Sequence, residues 1–217
     1  MFVDHEIIVI GEGGHSKVIR EIIQSQQNYR IHAILDDKYA ELYEHEGIYK
    51  GPSTSFHTLL ARNKQLKCVI AIGNNEIRKS IIDRLGLTSE QFITLVHETA
   101  VVSATAIIGQ GTVVMANTVI HADAHIGDHA IINTGAIVEH DCNLANYVHL
   151  APRATLTGGV VIKEGTFVGA GATIIPGIAI GEWTLVGAGA TVIHDVPAYR
   201  TAVGTPARII DKANRSS

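Results

Sequence analysis

A six-residue repeat of aliphatic residues runs without a break through the second half of the sequence. Every sixth position from Val96 to Val192 is Val, Ile or Leu, which makes 17 consecutive matches. These three residue types make up fewer than a third of the chain, so chance does not explain the pattern. The position four residues further on is small or β-branched each time. A fixed period of six is typical of a parallel β-helix, in which aliphatic side chains stack inside a dry prism.

Three six-residue repeats make one coil of such a helix, so residues 18 apart in the chain should lie above one another. The sequence therefore predicts between five and six coils over residues 96–197. The repeat resembles that of the hexapeptide-repeat acyltransferases. This resemblance implies a left-handed β-helix and a homotrimer.

Composition narrows the class of protein further. The 217 residues carry a formal net charge of −4, and the 17 Lys and Arg residues are scattered, so we expect no nucleic-acid partner and no membrane partner. The two cysteines, Cys68 and Cys142, fall at positions predicted to be buried, which fits free thiols in a reducing compartment. We also see no leader and no membrane-spanning apolar run, and we expect a cytoplasmic protein.

The first half of the chain alternates strand and helix patterns. We predict strands at residues 6–10, 31–35, 67–72 and 92–96, helices at 18–26, 56–63 and 76–85, and irregular structure at 38–54. Alternation of this kind is typical of a Rossmann-like α/β domain with a parallel sheet. We therefore predict an α/β domain at residues 1–95, the left-handed parallel β-helix at 96–197 and a C-terminal tail at 198–217.

Polar or glycine-rich segments follow three of the predicted strands. They are Gly13-Gly14-His15, Asp36-Asp37 and Gly73. Because the carboxyl ends of parallel strands meet at one edge of the sheet, these segments should converge where such sheets bind ligands. The glycines do not have the G-x-G-x-x-G spacing of dinucleotide sites, which argues against NAD. A plain connecting turn and solvated aspartates remain the alternatives.

The two halves together resemble the NeuD-like sugar acetyltransferases, and among these the bacterial bacillosamine and perosamine nucleotide-sugar N-acetyltransferases. The residues that carry the resemblance are Gly13-Gly14-His15, Leu35-Asp36-Asp37, Ala71 to Asn75, Glu139-His140-Asp141-Cys142, Tyr147-Val148-His149 and Val203 to Ala207. The resemblance implies that the first domain binds the UDP, dTDP or GDP part of a sugar nucleotide. By the same resemblance, the residues that line that site are Gly13, Gly14, His15, Asp36, Asp37 and Gly73.

His140 is the histidine of the repeat that best fits a catalytic base. A histidine in a solenoid turn is ordinarily a solvated surface residue. Here Asp141 is adjacent and can raise the basicity of the imidazole. Gly158 lies 18 residues further on, so one coil away there is open space and a backbone N–H. A base beside an oxyanion donor is what acyl transfer needs. In the resembled enzymes the matching histidine is the general base.

The co-substrate residues follow mainly from the resemblance. His149 is half a coil from His140, so the two should meet only between subunits of a trimer. The resemblance implies that His149 contacts acetyl-CoA, which predicts an active site shared between subunits. Ala170 and Ala188, which are 18 apart, could simply be small corner residues. Only the resemblance makes them contacts of the pantetheine arm. We expect no metal and no acyl-enzyme, and we place Cys142 in the core.

Two other functions stay open. An O-acetyltransferase acting on sialic acid or an exopolysaccharide sugar needs the same base, so the sequence separates it poorly from an N-acetyltransferase. A non-catalytic or metal-binding β-helix is the more distant alternative, and a metal would need three converging histidines. The candidates for such a site are His121, His125 and His129, but their spacing of four does not fit a six-residue lattice.

Overall fold

The computed structural model describes residues 5–210. Contacts between Cα atoms divide the chain into two compact units between Leu95 and Val96. The first unit mixes helices with one sheet, and the second consists of short strands and turns. This arrangement confirms the predicted fold class, an α/β domain followed by a left-handed parallel β-helix.

The first unit is built on a five-stranded sheet in the order β3-β4-β2-β1-β5. The strands are β1 (His5–Ile10), β2 (Tyr29–Leu35), β3 (Tyr43–His45), β4 (Ile48–Gly51) and β5 (Lys67–Ile70). All neighbouring pairs are parallel except β3 and β4. Consecutive residues of β1 are fully buried, from Ile7 to Val9, so both faces of this strand are covered.

Three α-helices follow strands of this sheet: α1 (Gly14–Ser25), α2 (Ser55–Arg62) and α3 (Asn75–Leu85). A 3-10 helix at Ser89–Gln91 precedes the second unit. The predicted N-cap Asn74 accepts a hydrogen bond from the Ile77 N–H at 2.9 Å, which satisfies one free donor of α3. The helix α1 begins four residues earlier than we predicted, because the segment after Gly13 already turns as a helix. None of the helices within residues 5–210 is long and apolar enough to cross a membrane.

The irregular structure that we predicted for residues 38–54 is wrong, because β3 and β4 form an antiparallel hairpin there. Glu46 and Gly47 make its turn with φ of 51° and 77°. Two central residues with positive φ match the right-handed twist of a hairpin. The strand β3 is exposed along its whole length, so it carries no hydrophobic alternation that would reveal it in the sequence.

The second unit winds two-residue strands into a β-helix. The strands are β6 (Leu95–Val96), β7 (Val101–Val102), β8 (Ile107–Ile108), β9 (Val113–Val114), β10 (Val119–Ile120), β11 (His125–Ile126), β12 (Ile131–Ile132), β13 (Ile137–Val138), β14 (Asn143–Leu144), β15 (His149–Leu150), β16 (Thr155–Leu156), β17 (Val161–Ile162), β18 (Phe167–Val168), β19 (Thr173–Ile174), β20 (Ala179–Ile180), β21 (Leu185–Val186) and β22 (Thr191–Val192). Each strand pairs in parallel with the third strand along the chain, so Val119 lies beside Ile137 and Ile137 beside Thr155. These pairs confirm the predicted register of 18.

The aliphatic lattice forms the core of this unit. From Val114 to Val192, all 14 lattice side chains are buried. The first three, Val96, Val102 and Ile108, are partly buried and pack against the same core. Stacked aliphatic side chains therefore supply most of the apolar burial that holds the coils together.

We expect Ile162→Val to lower the free energy of unfolding by about 1 kcal/mol, because it removes one fully buried methyl group from the lattice. Ile107→Val is the matched control, since Ile107 is 57% exposed and points away from the core. Urea unfolding of the two variants measures the difference. Equal stability of both variants would contradict the inward orientation of the lattice.

The strands of the β-helix form three sheets, of six, five and eight strands. The eight-stranded sheet contains β6, β9, β12, β15, β18 and β21, and it continues past residue 197, the end that we predicted for the β-helix. The strand β23 (Thr201–Val203) pairs in parallel with β21, and β24 (Arg208–Ile210) pairs antiparallel with β23. The first part of the predicted C-terminal tail is therefore ordered strand and turn. Residues 211–217 of the tail lie outside the described residues.

Candidate active site

The His140–Asp141 pair lies in the turn between β13 and β14. The Nδ1 atom of His140 is 2.7 Å from Oδ2 of Asp141. Asp141 takes a left-handed backbone with φ of 61°, which aspartate tolerates better than most residues. The hydrogen bond to Asp141 raises the pKa of His140, and the nearby Glu139 carboxylate adds to this effect.

The contact with Asp141 selects the tautomer of the imidazole. A carboxylate only accepts hydrogen bonds, so Nδ1 of His140 must carry the proton that it donates. The other ring nitrogen, Nε2, then has a lone pair. The side chain of His140 is 63% exposed, so this lone pair can reach a substrate. The pair is therefore arranged as a base and its orienting carboxylate.

Gly158 lies beside this imidazole, as the register of 18 predicts. A Cβ atom on Gly158 would be 2.7 Å from Cε1 and 2.8 Å from Nε2 of His140. No side chain fits there without displacing the ring. Among the hydrogen bonds of residues 5–210, none uses the Gly158 N–H. This N–H is the candidate oxyanion donor, and the Gly159 N–H beside it already bonds to the His140 carbonyl at 2.9 Å.

His149 lies in β15 of the eight-stranded sheet, whereas His140 lies in the turn that joins the other two sheets. Only 8% of the surface of His149 is exposed. Its Nε2 atom is 3.2 Å from Nδ2 of Asn133, and its ring meets that of Phe167 edge-on at 4.9 Å. We did not single out Asn133 from the sequence. The register could have found it: Ile131 lies one coil before His149, and Asn133, two residues after Ile131, is on the same outer face.

Ala170 and Ala188 lie in stacked turns. Both residues are exposed. The carbonyl of Ala170 accepts the Gly189 N–H at 2.8 Å, so it is already used between coils. Within the described part of the chain, neither alanine N–H enters a hydrogen bond. This corner therefore presents two stacked N–H groups that can donate to the amide carbonyls of a pantetheine arm.

In the first unit, the three strand-end segments come together. The Glu12 N–H donates to Oδ2 of Asp36 at 2.7 Å, which joins the turns after β1 and β2. A Cβ atom on Gly11 would be 3.0 Å from the Ala71 carbonyl oxygen, so the turn after β5 is also adjacent. This convergence creates the sheet edge at which ligands bind in parallel α/β sheets.

The glycines at this edge leave open space. Apart from the adjoining residues of the turn and helix, no atom lies within 4 Å of a Cβ placed on Gly13 or Gly14. His15 is in the first turn of α1, where burial and the neighbouring Arg78 guanidinium lower its pKa to about 4. Arg78 is itself buried and donates to the carbonyl oxygens of Ile72 and Gly73 at 3.0 and 3.4 Å. A neutral histidine beside an open glycine turn suits hydrogen bonding to a sugar nucleotide.

The two aspartates differ in their partners. Asp36 holds the backbone N–H groups of Glu12 and Lys38. Asp37 accepts three hydrogen bonds, two from Ser53 at 2.6 and 2.9 Å and one from Arg84 at 2.7 Å. The hydrogen bonds from Ser53 are the main cause that lowers the pKa of Asp37 to about 2. These contacts favour a structural role for Asp37, and its part in ligand binding stays a prediction.

The three histidines considered for a metal site have different surroundings. Nε2 of His121 is 3.7 Å from Oε1 of Glu139, His125 is exposed, and His129 stacks on Tyr147 at 5.3 Å. Across residues 5–210, no three His, Cys, Asp or Glu residues are grouped to hold a metal ion. Cys142 is fully buried, and its Sγ donates to the Thr157 carbonyl at 3.2 Å.

Comparison with known proteins places both units in described families. Residues 6–85 match the PglD N-terminal domain, and residues 105–140 and 159–194 match the bacterial transferase hexapeptide (six repeats). The UDP-N-acetylbacillosamine N-acetyltransferase of Bacillus subtilis (strain 168) is 48% identical over 110 residues. That alignment covers 51% of this chain and 51% of the relative, so it spans about half the length of each.

Solved structures match over nearly the whole chain. A mutant of perosamine N-acetyltransferase from Caulobacter crescentus, in complex with CoA and GDP-perosamine, is 37% identical with a TM-score of 0.86. The match covers 95% of this chain and 97% of that one. The acetyltransferase domain of PglB from Neisseria gonorrhoeae, in complex with acetyl coenzyme A, is 34% identical with a TM-score of 0.83, and the match covers 95% and 100%. The chain therefore belongs to the family of hexapeptide-repeat N-acetyltransferases that carry a PglD-type N-terminal domain.

Proposed function

We propose that this chain transfers the acetyl group of acetyl-CoA to the amine of a nucleotide-linked amino sugar. The substrate class is a UDP-, dTDP- or GDP-4-amino-4,6-dideoxyhexose, in bacterial glycan or exopolysaccharide synthesis. The observation that carries the proposal is the oriented His140 imidazole beside the unused Gly158 N–H. The substrates named for the relatives, GDP-perosamine and UDP-N-acetylbacillosamine, support the same chemistry.

The first step is removal of a proton from the attacking amine. Nε2 of His140 takes this proton while the amine nitrogen attacks the thioester carbonyl. The charge of the imidazolium that forms is stabilised by Asp141, to which Nδ1 remains bonded at 2.7 Å. A carboxylate that holds the ring also keeps Nε2 aimed at the substrate, so little reorganisation is needed.

The second step is collapse of the tetrahedral intermediate. The Gly158 N–H donates to the oxyanion that develops on the former carbonyl oxygen. The C–S bond then breaks, and the CoA thiolate leaves and takes the proton that the His140 imidazolium holds at Nε2, which restores the base. No acyl-enzyme is needed, and the buried Cys142 does not act as nucleophile because burial raises the pKa of its thiol.

We further propose that the enzyme is a homotrimer in which His149 of one subunit serves the His140 of a neighbour. Two features support this: the two histidines lie on different sides of the coil, and the small turn residues Ala170 and Ala188 offer exposed backbone N–H groups for CoA. The reaction belongs in the cytoplasm, with which the two free buried cysteines agree. Sedimentation of the active enzyme tests the assembly, and a fully active monomer would contradict it.

A thiol-release assay tests the proposed function. Purified protein is incubated with acetyl-CoA and UDP-, dTDP- and GDP-linked 4-amino sugars, and free CoA thiol is measured. Matched 4-hydroxy sugars are the control for O-acetyl transfer. We expect release with at least one amino sugar and none with its hydroxyl counterpart. Release with the hydroxyl sugars alone would favour the O-acetyltransferase instead.

The pH dependence of kcat/KM should report the His140–Asp141 pair. The base must be unprotonated, so activity rises with pH through the pKa of His140. Asp141 raises that pKa, and Asp141→Asn should therefore shift the acid limb to lower pH. The plateau should also fall at least about tenfold, because the ring is less basic and less firmly held.

Glu139→Gln is the control for this profile. Glu139 raises the pKa of His140 only through its charge, and it is the weakest of the contributing groups. The acid limb of this variant should move in the same direction but by less. An acid limb that stays in place in Asp141→Asn would show that another group titrates.

A further inference from the structure

We propose that Glu12 is a positioning residue for the nucleotide site: its carboxylate ties the glycine turn after β1 to the β3–β4 hairpin, and so fixes Asp36 for the ligand. This inference rests on the proposed function, because it assumes that the sheet edge binds the nucleotide. Glu12 is not among the residues that the sequence indicated for this site.

The backbone of Glu12 reaches Asp36 directly. Its N–H donates to Oδ2 of Asp36 at 2.7 Å, and the Lys38 N–H donates to Oδ1 at 3.1 Å. The Asp36 N–H in turn donates to the Gly51 carbonyl of β4 at 2.8 Å. The orientation of the Asp36 carboxylate therefore depends on where the turn that contains Glu12 sits.

The side chain of Glu12 also holds that turn in place, through contacts with Tyr39, Lys38 and Lys50. Its carboxylate accepts a hydrogen bond from the Tyr39 hydroxyl, and it lies 2.9 Å from Nζ of Lys38 and 3.1 Å from Nζ of Lys50. Only 13% of the side chain is exposed. Burial alone would raise the pKa of Glu12, but the hydrogen bonds from Tyr39, Lys38 and Lys50 outweigh it and lower the pKa to about 2.

The charges explain how an acid can occupy a turn that faces phosphates. A carboxylate between Gly11 and Gly13 would by itself repel the diphosphate of a sugar nucleotide. The two lysine ammonium groups offset this charge and that of the adjacent Asp36 carboxylate, so the cluster carries no net negative charge toward the diphosphate. Lys50 comes from β4, so the hairpin completes the cluster.

Loss of the Glu12 carboxylate should weaken nucleotide binding and leave the chemical step unchanged. If the carboxylate is lost, the turn loses its hold on the hairpin, and Asp36 loses a fixed donor. Nucleotide affinity should then fall. The His140–Asp141 pair and Gly158 belong to the β-helix and are not members of this cluster, so the chemical step at saturation should be unaffected.

The test compares Glu12→Ala and Glu12→Gln with wild type in the full chain. Binding of UDP, dTDP and GDP is measured by calorimetry, and kcat and KM are measured with the preferred amino sugar. We expect the Kd of the preferred nucleotide to rise about tenfold in Glu12→Ala, the scale of hydrogen bonds to a charged group. Glu12→Gln should be intermediate, since its amide can still accept from Tyr39. The kcat and the KM for acetyl-CoA should change less than about twofold.

Glu6→Gln is the matched control. Glu6 is a carboxylate at the amino end of β1, away from the turn that contains Glu12, and it accepts hydrogen bonds from Arg30 and Asn63. Its loss should leave the nucleotide Kd unchanged. Should Glu12→Ala fail to fold, Tyr39→Phe replaces it and should weaken binding about threefold through one lost hydrogen bond.

Two results would overturn the inference alone: unchanged nucleotide affinity in the Glu12 variants, or a fall in kcat with affinity retained. If the wild-type protein binds none of the three nucleotides, the nucleotide part of the proposed function fails and the inference fails with it. These outcomes are distinguishable because the wild-type measurement is made first.

Discussion

Replacing His140 by Ala is expected to lower kcat about 100-fold or more, the usual scale for loss of a general base. The variant removes Nε2, the atom proposed to take the proton from the amine, and leaves Ala170 and Ala188, the proposed contacts of the pantetheine arm, unchanged. Acetyl-CoA binding should therefore be retained. Steady-state kinetics and a direct binding measurement for acetyl-CoA separate the two effects.

His125→Ala is the control for this variant. His125 is an exposed histidine of the same β-helix, and its side chain lies on the outer face of β11. Its removal should leave kcat within about twofold of wild type. If His140→Ala keeps wild-type turnover, or if both variants lose activity equally, His140 is not the base.

Gly158→Ala should cost about as much activity as the loss of His140 itself. The new Cβ would be 2.7 Å from Cε1 and 2.8 Å from Nε2 of His140, so the imidazole has to move away. The exposed ring can swing into solvent, so the fold should be retained. The Gly158 N–H also remains. We therefore expect a fall in kcat of about 100-fold with little change in melting temperature.

A double-variant cycle makes this prediction sharper. If Gly158→Ala acts by displacing the imidazole, then adding it to His140→Ala should cause little further loss. Fully additive losses would show that Gly158→Ala acts on something other than His140. Wild-type activity in Gly158→Ala would contradict the close approach of Gly158 to the imidazole.

The contacts of His140 with Asp141 and Gly158 could be predicted from the sequence because a β-helix is nearly one-dimensional. Once the period is six and a coil has three sides, the partner of every residue lies 18 positions away. The approach of Gly158 to His140 follows from this arithmetic, and so does the burial of the lattice from Val114 to Val192.

The α/β unit was predicted less completely, because its contacts join segments far apart in the chain. The β3–β4 hairpin carries no hydrophobic pattern, since β3 is exposed and its turn uses Glu46 at a positive φ. The partners of Asp37, Ser53 and Arg84, are 16 and 47 residues away. No periodicity links such residues, so the structural role of Asp37 could not be read from the sequence.

The cluster around Glu12 was missed for the same reason. Its carboxylate is held by Tyr39 and Lys50, which are 27 and 38 residues further on. In the sequence, Glu12 is one residue within a glycine-rich turn. A charged residue in a turn is ordinarily solvated, and only the hairpin brings a second lysine to it.

The most direct test of the account is the chemical identity of the product. Wild-type protein is incubated with acetyl-CoA and each of the UDP-, dTDP- and GDP-linked 4-amino sugars, and the nucleotide sugar is then analysed by mass spectrometry and treated with hydroxylamine. We expect that one nucleotide sugar gains a single acetyl group that resists hydroxylamine, as an amide does. An acetyl group that hydroxylamine removes as an ester, or no acetylation of any of the three, would contradict it.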